Sequence, residues 1–239
     1  MPVRPRHIAI VGAGFSGAVI ARELAEAGHR VDVFDSRSHV AGNCHTERQD
    51  DDVLVHVYGP HIFHTAHEHV WQYMNRFGTM MPYNHKVKAT TQGKVFSLPV
   101  NLLTINQFFG KTFTPAEAEA FITSIGDQSI TDPQSFRDQG LRFVGPELYA
   151  AFFDGYTRKQ WGVDPVELPA SILARLPVRF NYDDSYFNHP YQAIPRDGYT
   201  PIVANILDHP GITVTLGVVK SRADLEAADH VVWSGPIDA

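Results

Sequence analysis

Three glycines near the amino terminus have the spacing of a dinucleotide-binding loop. Gly12, Gly14 and Gly17 form a GxGxxG pattern after an apolar run at 7–11. The first glycine permits a tight turn, the second lets a pyrophosphate approach the backbone, and the third lets a helix pack closely on the strand. Asp35, 18 residues beyond Gly17, stands where an acidic side chain binds the ribose hydroxyls of an adenosine. These residues predict dinucleotide binding.

Residues beyond the second predicted strand favour FAD over NAD. Arg37 and the turn Ala41-Gly42-Asn43 continue the edge at which the glycine loop lies. FAD is long and often has a second contact region of this kind, whereas NAD-binding chains usually proceed into another βα unit. The acid at position 35 also disfavours the 2′-phosphate of NADP. Glycines that serve only a tight turn are the alternative interpretation.

Two histidines follow a glycine–proline bend in the stretch YGPHIFHT, residues 58–65. His61 and His64 are three residues apart, and five histidines lie within fourteen residues. Such crowding suggests a metal site or a proton relay. However, no cysteine or carboxylate completes a set with metal-ligand spacing, and His67 and His69 are too close in sequence to share a helix face. We expect no metal.

Composition and charge are those of a soluble globular protein. The 239 residues are 44% hydrophobic and 19% charged, enough for one large or two modest domains. A formal net charge of −6 without a basic cluster argues against nucleic-acid binding. No run approaches the roughly 20 apolar residues of a membrane span. The single cysteine, Cys44, fits a reducing cytoplasm.

The elements that must position these residues are predicted to form an α/β fold. Strands at 7–11 and 31–35 enclose a helix from about Ser16 to Ala27, which is one βα unit followed by its second strand. Further elements are a hairpin at 86–100, helices that begin with capping-box spacing at Thr65 and at Thr114, helices near Pro146 and Thr200, and strands at 212–218 and 230–233. The pattern predicts a Rossmann-type domain interrupted by a helical domain and a small antiparallel sheet.

Several blocks of the sequence together resemble the UDP-galactopyranose mutase family. After AIVGAGFSGAVIARELAEAGHRV come, in the family's order, DSRSHVAGN, HVYGPHIFHT, LPVNLLTINQFFG, GYTRKQWG and SYFNHPYQAIPRDGYT. The glycine loop is generic, whereas YGPHIFHT and YTRKQWG are specific. The resemblance implies an enzyme that interconverts UDP-galactopyranose and UDP-galactofuranose with reduced FAD, flavin N5 acting as the nucleophile at the anomeric carbon.

The resemblance assigns the glycine–proline bend to the flavin ring. His61 is expected to pack against the ring and His64 to face the sugar, and both are catalytic candidates. A neutral histidine can donate to a developing anion without adding a full charge. The cofactor-binding candidates are Gly12, Gly14, Phe15, Ser16, Gly17, Asp35, Arg37, Gly42, Asn43, Tyr58, Gly59, Pro60 and His61.

The resemblance also assigns a site for UDP-galactose. Tyr156 is expected to stack on uracil and Trp161 to lie near the sugar phosphate, although such an aromatic cluster is more often core. Arg175 lies in a proline-bracketed segment at 169–177 that matches a mobile loop, and it is expected to bind the diphosphate and act in catalysis. The substrate-binding candidates are Asn84, Phe152, Tyr156, Thr157, Trp161, Arg175, Tyr186 and Phe187.

Three regions are expected along the chain. Residues 1–83 and 200–239 are assigned to a discontinuous, incomplete FAD-binding domain. Residues 84–100 and 178–199 are assigned to a β-sheet substrate region, and residues 101–177 to a helical substrate domain. The family's members are commonly dimers or larger, so the resemblance is compatible with a homo-oligomer.

Two features depart from the family. Ala41 stands where the first glycine of GGN is usual, so a positive φ there would strain an alanine, and Cys44-His45 replaces a small residue and a tyrosine. Family members also continue well past GPID into a section with further FAD and diphosphate contacts. The alternatives are therefore a non-catalytic, truncated FAD- or UDP-sugar-binding remnant or, more distantly, an amine-oxidase-like FAD oxidoreductase.

Overall fold

The chain divides into two units in the structure, a computed structural model that describes residues 4–175 and 178–235. Residues 1–83 and 189–239 form the first unit, and residues 84–188 form the second. Strand 191–195, expected to belong with the hairpin region, pairs instead with strands of the first unit. The mixed α/β class and the Rossmann-type domain expected from the patterning are confirmed.

The strands and helices of the two units follow one another in chain order. The first half contains β1 (His7–Val11), α1 (Phe15–Glu26), β2 (Arg30–Asp35), β3 (Thr46–Arg48), β4 (Leu54–His56), β5 (Phe63–Thr65), α2 (Glu68–Phe77), β6 (Met80–Pro82), β7 (Val87–Thr91) and β8 (Lys94–Leu98). There follow α3 (Leu102–Phe109), α4 (Pro115–Ile125), α5 (Phe136–Tyr149), α6 (Gly155–Trp161), β9 (Tyr191–Pro195), α7 (Tyr199–Leu207), β10 (Ile212–Leu216) and β11 (His230–Trp233).

A four-stranded parallel sheet forms the centre of the first unit, in the order β10-β2-β1-β11. Ile10 pairs with Val33 on one side and with Val232 on the other. Ile10 and Val33 are fully buried, which explains their continuously apolar strands. All four strands run in the same direction, so their carboxyl ends meet at one edge of the sheet.

Helix α1 packs closely on this sheet because its inner face is made of small residues. Gly17, Ala18, Ala21 and Ala25 are all buried. The helix begins after Gly14, which offers no side-chain cap, and no acidic residue lies in its first turn. Its first N–H groups and its partial positive charge are therefore left for an anion.

A three-stranded antiparallel sheet, in the order β5-β9-β6, completes the first unit with α2. The capping box expected at Thr65 is wrong, because Thr65 is the last residue of β5 and pairs with Tyr191. Its hydroxyl accepts the N–H of His67 at 3.0 Å, and His67 is the residue before the helix. Pairing in the sheet thus moves the helix start to Glu68.

The second unit joins the β7–β8 hairpin to four helices around a separate core. The capping box predicted at Thr114 is present, with Glu117 as its second member. Gly145 has a φ of 76° and interrupts α5, and Pro146 restarts the helical path. A wide turn at 150–154 then leads into α6. Within residues 4–175 and 178–235, no helix is both long and apolar enough to cross a bilayer.

Candidate functional site

A cleft of about 1300 Å³ opens at the carboxyl edge of the parallel sheet. It lies where β1 and β2 are followed by the two glycine-containing loops, the place at which open α/β sheets bind ligands. Eight of the cofactor-binding candidates line it: Gly12, Gly14, Phe15, Ser16, Asp35, Arg37, Gly42 and Asn43. The parallel sheet thus gathers residues that are up to 31 positions apart in sequence.

The first loop has no room for side chains at two of its glycines. Gly12 has a φ of 109°, and a Cβ there would lie 2.5 Å from the hydroxyl of Ser234. A Cβ on Gly17 would lie 1.9 Å from the carbonyl oxygen of Gly12. Gly17 does not line the cleft; it lets the helix approach the loop from behind, the role the spacing predicts.

The second loop, Ala41-Gly42-Asn43, packs backbone to backbone on the first. Gly42 lies so near Gly14 that a Cβ on Gly42 would be 3.3 Å from the Cα of Gly14. Ala41 is buried with a φ of 75°, the left-handed conformation that strains an alanine. The positive φ that the sequence comparison with the family raised for Ala41 is therefore present, and the surrounding packing stabilises this strained conformation.

The carboxylate of Asp35 ties the first loop to the end of β2. It accepts hydrogen bonds from the backbone N–H of Ala13 at 2.7 Å and of Arg37 at 2.9 Å. Arg37 in turn donates to the side-chain oxygen of Asn43 at 2.9 Å and lies 4.4 Å from the ring centre of Tyr58. The acid and the arginine singled out in the sequence thus organise both loops.

The glycine–proline bend is connected to the cleft through Tyr199. Gly59 has a φ of 106°, and its carbonyl oxygen lies 2.9 Å from Nδ1 of His61. The hydroxyl of Tyr199 donates to the carbonyl oxygen of His61 at 3.0 Å, and its ring meets Phe15 edge-on at 5.9 Å. Residues 58–61 do not line the cleft itself, but one aromatic residue separates their bend from its wall.

His64 lies on β5 in a pair with His189. Their Nδ1 atoms are 2.6 Å apart and their rings are stacked at 4.8 Å. Burial, and then the neighbouring His189, lowers the pKa of His64. Across the described part of the chain, no cluster of three or more histidine, cysteine or acidic side chains is placed to hold a metal ion.

In the second unit, α6 presents two of the predicted aromatic side chains to solvent. Tyr156 is 68% exposed and Trp161 is 53% exposed, so either ring can receive a ligand. Phe152 is only 7% exposed, because its ring packs edge-on against Phe96 at 5.3 Å. Thr157, the remaining candidate on this helix, is also buried. Phe152 and Thr157, both predicted to bind the substrate, are therefore buried within the second unit.

A second aromatic pair lies in the loop that leads out of this unit. Tyr186 and Phe187 meet edge-on at 4.9 Å. The N–H of Tyr186 donates to the carbonyl oxygen of His85 at 2.8 Å. Asn84 donates to the hydroxyl of Ser185 at 2.9 Å. Residues 84 and 85 thus hold the loop against the start of the hairpin.

Arg179 was not singled out by the sequence, yet it holds this same loop. Its side chain is 9% exposed. The guanidinium donates to the carbonyl oxygen of Asp183 at 3.2 Å, and also to the carbonyl oxygen of Ser185 and the side-chain oxygen of Asn188. The backbone of Arg175 ends a short helical turn, Ala170–Arg175, but its side chain lies outside the described part of the structure.

The far wall of the cleft is also formed by residues that no motif indicated. They lie at or beyond the carboxyl ends of β10 and β11 and include Val218, Lys220, Arg222, Trp233 and Ser234. Their signal was available, because both strands were predicted and ligands lie beyond the carboxyl ends of parallel strands. What the sequence does not show is that β10 and β11 flank β2 and β1.

Comparisons of sequence with known proteins agree with this architecture. A UDP-galactopyranose mutase family model matches residues 151–239, and a model of NAD(P)-binding Rossmann-like domains matches residues 10–77. A probable UDP-galactopyranose mutase of Klebsiella pneumoniae is 58% identical over 235 residues, 98% of this chain and 61% of that protein. A dTDP-fucopyranose mutase of Escherichia coli is 53% identical over 238 residues, 97% of this chain and 63% of that protein. The chain spans about three-fifths of the length of these relatives.

The fold is also shared with solved proteins. A crystal structure of reduced UDP-galactopyranose mutase matches this fold with a TM-score of 0.68 at 17% sequence identity, over 88% of this chain and 48% of that chain. At this identity the match concerns the fold alone.

Another match in sequence is to a different kind of protein. An L-amino-acid oxidase of Bothrops pauloensis is 36% identical over 193 residues, 81% of this chain but 38% of that protein.

Proposed function

We propose that this chain, which belongs to the UDP-galactopyranose mutase family, supplies the flavin-binding and uridine-binding parts of a mutase that interconverts UDP-galactopyranose and UDP-galactofuranose. The observation that carries the proposal is the cleft in which two glycine-containing loops meet beside the uncapped start of α1. A ligand with an extended diphosphate, such as FAD, can contact the backbone of both loops at once.

The residues of the cleft fit FAD. The N–H groups after Gly14 and the close approach of Gly42 to Gly14 provide a surface free of side chains for a pyrophosphate. Asp35 keeps acceptor capacity for a ribose hydroxyl beyond the two N–H groups it already binds. Reduced flavin supplies the nucleophile for opening and reclosing the sugar ring.

Neutral histidines near the bend suit the protein's share of this chemistry. The lowered pKa of His64 keeps its imidazole uncharged at neutral pH, so that it can exchange hydrogen bonds with sugar hydroxyls. The bond from Tyr199 holds the backbone of His61, which fixes the bend assigned to the flavin ring. In this proposal His61 orients the cofactor and His64 the sugar.

The aromatic side chains of the second unit are proposed to hold the nucleotide. Tyr156 is the exposed ring for stacking on uracil, and Trp161, five residues later on the same helix, is the proposed neighbour for the sugar phosphate. Tyr186 and Phe187 provide further aromatic surface, held by the loop contacts described above. Arg175 is the proposed cation for the diphosphate.

A second substrate is favoured by one comparison. The relative named dTDP-fucopyranose mutase is nearly as similar as the one named probable UDP-galactopyranose mutase. The two nucleotide sugars share a diphosphate but differ by a methyl group on the base, the 2′-hydroxyl of the ribose and the 6-hydroxyl of the hexose. Hydrogen bonding to either hydroxyl can separate them by orders of magnitude, whereas the methyl group alone gives only modest selectivity.

The test combines flavin content with turnover. The purified chain is expected to bind FAD in a one-to-one ratio; after reduction with dithionite it is assayed with UDP-galactofuranose and, separately, with dTDP-fucofuranose. Turnover of the first supports the UDP-galactose assignment, and preference for the second reassigns the substrate. A further arm adds the section of a relative that lies beyond the matched residues. Flavin binding without turnover, with or without that section, indicates a chain that binds flavin but is not catalytic. A chain that binds no flavin overturns the proposal.

A further inference from the structure

We propose that the stacked imidazoles of His39 and His45 form a pH-sensitive clamp on the second loop, and that their protonation weakens binding of the flavin. The inference rests on the proposed function in one respect, namely that FAD is the ligand of the cleft. It gives a role to His45, a departure from the resembling family for which the sequence offers no explanation.

The two rings bracket the loop that they hold. His39 precedes and His45 follows Ala41-Gly42-Asn43, and their ring centres are 3.7 Å apart with planes inclined by 15°. Because the loop enters and leaves through this stack, separation of the rings opens the loop at its base. The 2.9 Å bond between Ala41 and Ala13 transmits any such movement to the glycine-rich loop.

The hydrogen bonds of His39 define its neutral tautomer. Nδ1 lies 2.9 Å from the carbonyl oxygen of Val40, which can only accept, so Nδ1 carries the hydrogen. Nε2 is then the acceptor for the hydroxyl of Tyr58, at 2.7 Å. Protonation of Nε2 turns this acceptor into a donor, and the Tyr58 hydroxyl has to reorient.

His45 connects the loop to helix α7. Its Nδ1 lies 3.0 Å from the hydroxyl of Thr200, which also accepts the N–H of Thr46 at 2.8 Å and donates to the carbonyl oxygen of Thr46 at 2.9 Å. The His45 side chain is largely buried. Its ring is therefore held between a helix and the stacked partner, with little freedom to move away from a charged neighbour.

The charged groups around the stack oppose a second positive charge. Burial lowers the pKa of His45, His39 lowers it further, and Arg37 acts in the same direction. Glu47 acts in the opposite direction, but its carboxylate is 3.8 Å from Nε2 of His45 and half exposed. The lowered pKa of His45 keeps its ring uncharged at neutral pH; in acid its imidazolium lies in a partly buried site, 3.7 Å from the centre of the His39 ring, which opposes the charge.

The experiment measures the affinity for FAD as a function of pH, from the fluorescence of released flavin. The dissociation constant of the unaltered chain is expected to rise several-fold between roughly pH 7.5 and 5.5, because the free chain would bind a proton more readily than the chain with FAD in the cleft. His45→Phe keeps a flat ring in the stack but cannot be protonated, so its profile is expected to be flat. His230→Gln removes an exposed histidine at the opposite end of the sheet and is expected to keep the original profile.

A second variant covers the case in which His45→Phe does not fold. His39→Gln retains a donor for Val40 and an acceptor for Tyr58, and its profile is also expected to be flatter than that of the unaltered chain. A pH dependence as steep as that of the unaltered chain in either folded variant overturns the clamp. An unaltered chain that binds FAD equally at all pH values overturns the clamp but not the proposed function, whereas one that binds no FAD at any pH overturns both.

Discussion

The backbone N–H of Ala41 donates to the carbonyl oxygen of Ala13 across 2.9 Å, joining the two loops of the cleft into one surface. Asp35 accepts the N–H of Ala13 at 2.7 Å, so the two polar groups of the Ala13 backbone are both engaged in holding loops together. The cleft is consequently organised by main-chain contacts before any ligand binds. Substitutions that disturb backbone spacing should therefore affect flavin binding more than loss of a side chain.

Gly17→Ala tests this spacing directly. The added methyl group would meet the carbonyl oxygen of Gly12 at 1.9 Å, so either α1 or the loop has to move. We expect a loss of about 3 kcal/mol in the free energy of unfolding and loss of bound flavin. Urea denaturation and the flavin-to-protein absorbance ratio measure the two effects.

Gly155→Ala is the matched control for that change. Gly155 lies in a helix with ordinary helical dihedral angles, and a Cβ there has no neighbour within 4 Å. We expect a gain of about 0.5 kcal/mol in the free energy of unfolding and unchanged flavin content. Equal effects of the two substitutions on stability and flavin content would show that close packing at Gly17 is not the cause of the loss.

The left-handed conformation of Ala41 predicts opposite tolerances for smaller and larger residues. Ala41→Gly relieves backbone strain but loses a buried methyl group and gains unfolded-state entropy, so its net effect should lie within about 1 kcal/mol of zero. Ala41→Val places a β-branched residue at a φ of 75° and should cost about 2 kcal/mol or more. Urea midpoints decide the matter, and a harmless valine would contradict the assigned backbone.

Arg179→Met is expected to release the loop that carries Tyr186. The substitution removes a buried guanidinium together with its hydrogen bonds to Ser185 and Asn188, at a cost of about 1.5–3 kcal/mol. The amide of Tyr186, which is bonded to His85, should then exchange its hydrogen faster. Hydrogen-exchange mass spectrometry of residues 183–188 measures this effect.

Arg158→Met provides the comparison at the surface of the same unit. Arg158 is exposed and pairs with Asp154 and Asp164 at the surface, so its removal should change stability little. The exchange rate of Tyr186 should also be unchanged. If both arginine variants behave alike, burial of the Arg179 guanidinium has no special role.

Two partly buried histidines predict that the chain loses stability in mild acid. Burial, then His61, lowers the pKa of His56, and burial, then His189, lowers that of His64. Unfolded histidine titrates near pH 6.5, so the unfolded chain binds more protons below that value. Their contribution is therefore complete above about pH 6.5 and is lost as the pH falls through the folded-state pKa values.

The measurement is the urea midpoint between about pH 8 and 5, with His56→Asn as the comparison. His56 Nδ1 accepts the N–H of His61 at 3.0 Å, a bond available only to the neutral ring. An asparagine oxygen can accept the same bond without titrating, so the midpoint of the variant should fall less steeply with acid. A midpoint that rises on acidification would reverse the assigned direction.

Tyr156 and Phe152 should separate binding from stability. Tyr156→Ala removes an exposed ring and is expected to weaken UDP binding by about 1–3 kcal/mol with little change in stability. Phe152→Ala opens a cavity beside Phe96 and is expected to cost about 3–5 kcal/mol in unfolding. Calorimetric titration with UDP and urea denaturation distinguish the two. The reverse pattern would place Phe152, and not Tyr156, at the nucleotide.

Local patterning was sufficient for much of this protein. The strand–glycine loop–helix unit around Gly12, the capping box at Thr114 and the hairpin at 86–100 were all predicted, because each depends on neighbours within one turn or two short strands. The position of Asp35 at the end of β2, beside the glycine loop, was predicted from its distance to the glycines in sequence, since that distance is set by one helix and one strand. Such features follow from short-range geometry.

Only the tertiary structure decided which distant residues meet. Four features depend on chain segments that no sequence periodicity connects. They are the stacking of His39 on His45, the hydrogen bonds from Arg179 to its loop, the burial of Phe152, and the pairing of β9 with β5 and β6. At Ala41 the resemblance raised the question of a positive φ, and only the structure supplied the value of 75°. The amino-acid sequence by itself determined most of the helices and strands and the conformation of the glycine loop. The packing of those elements determined which side chains contact one another, because a side chain's partners are set by the fold and not by its neighbours in sequence.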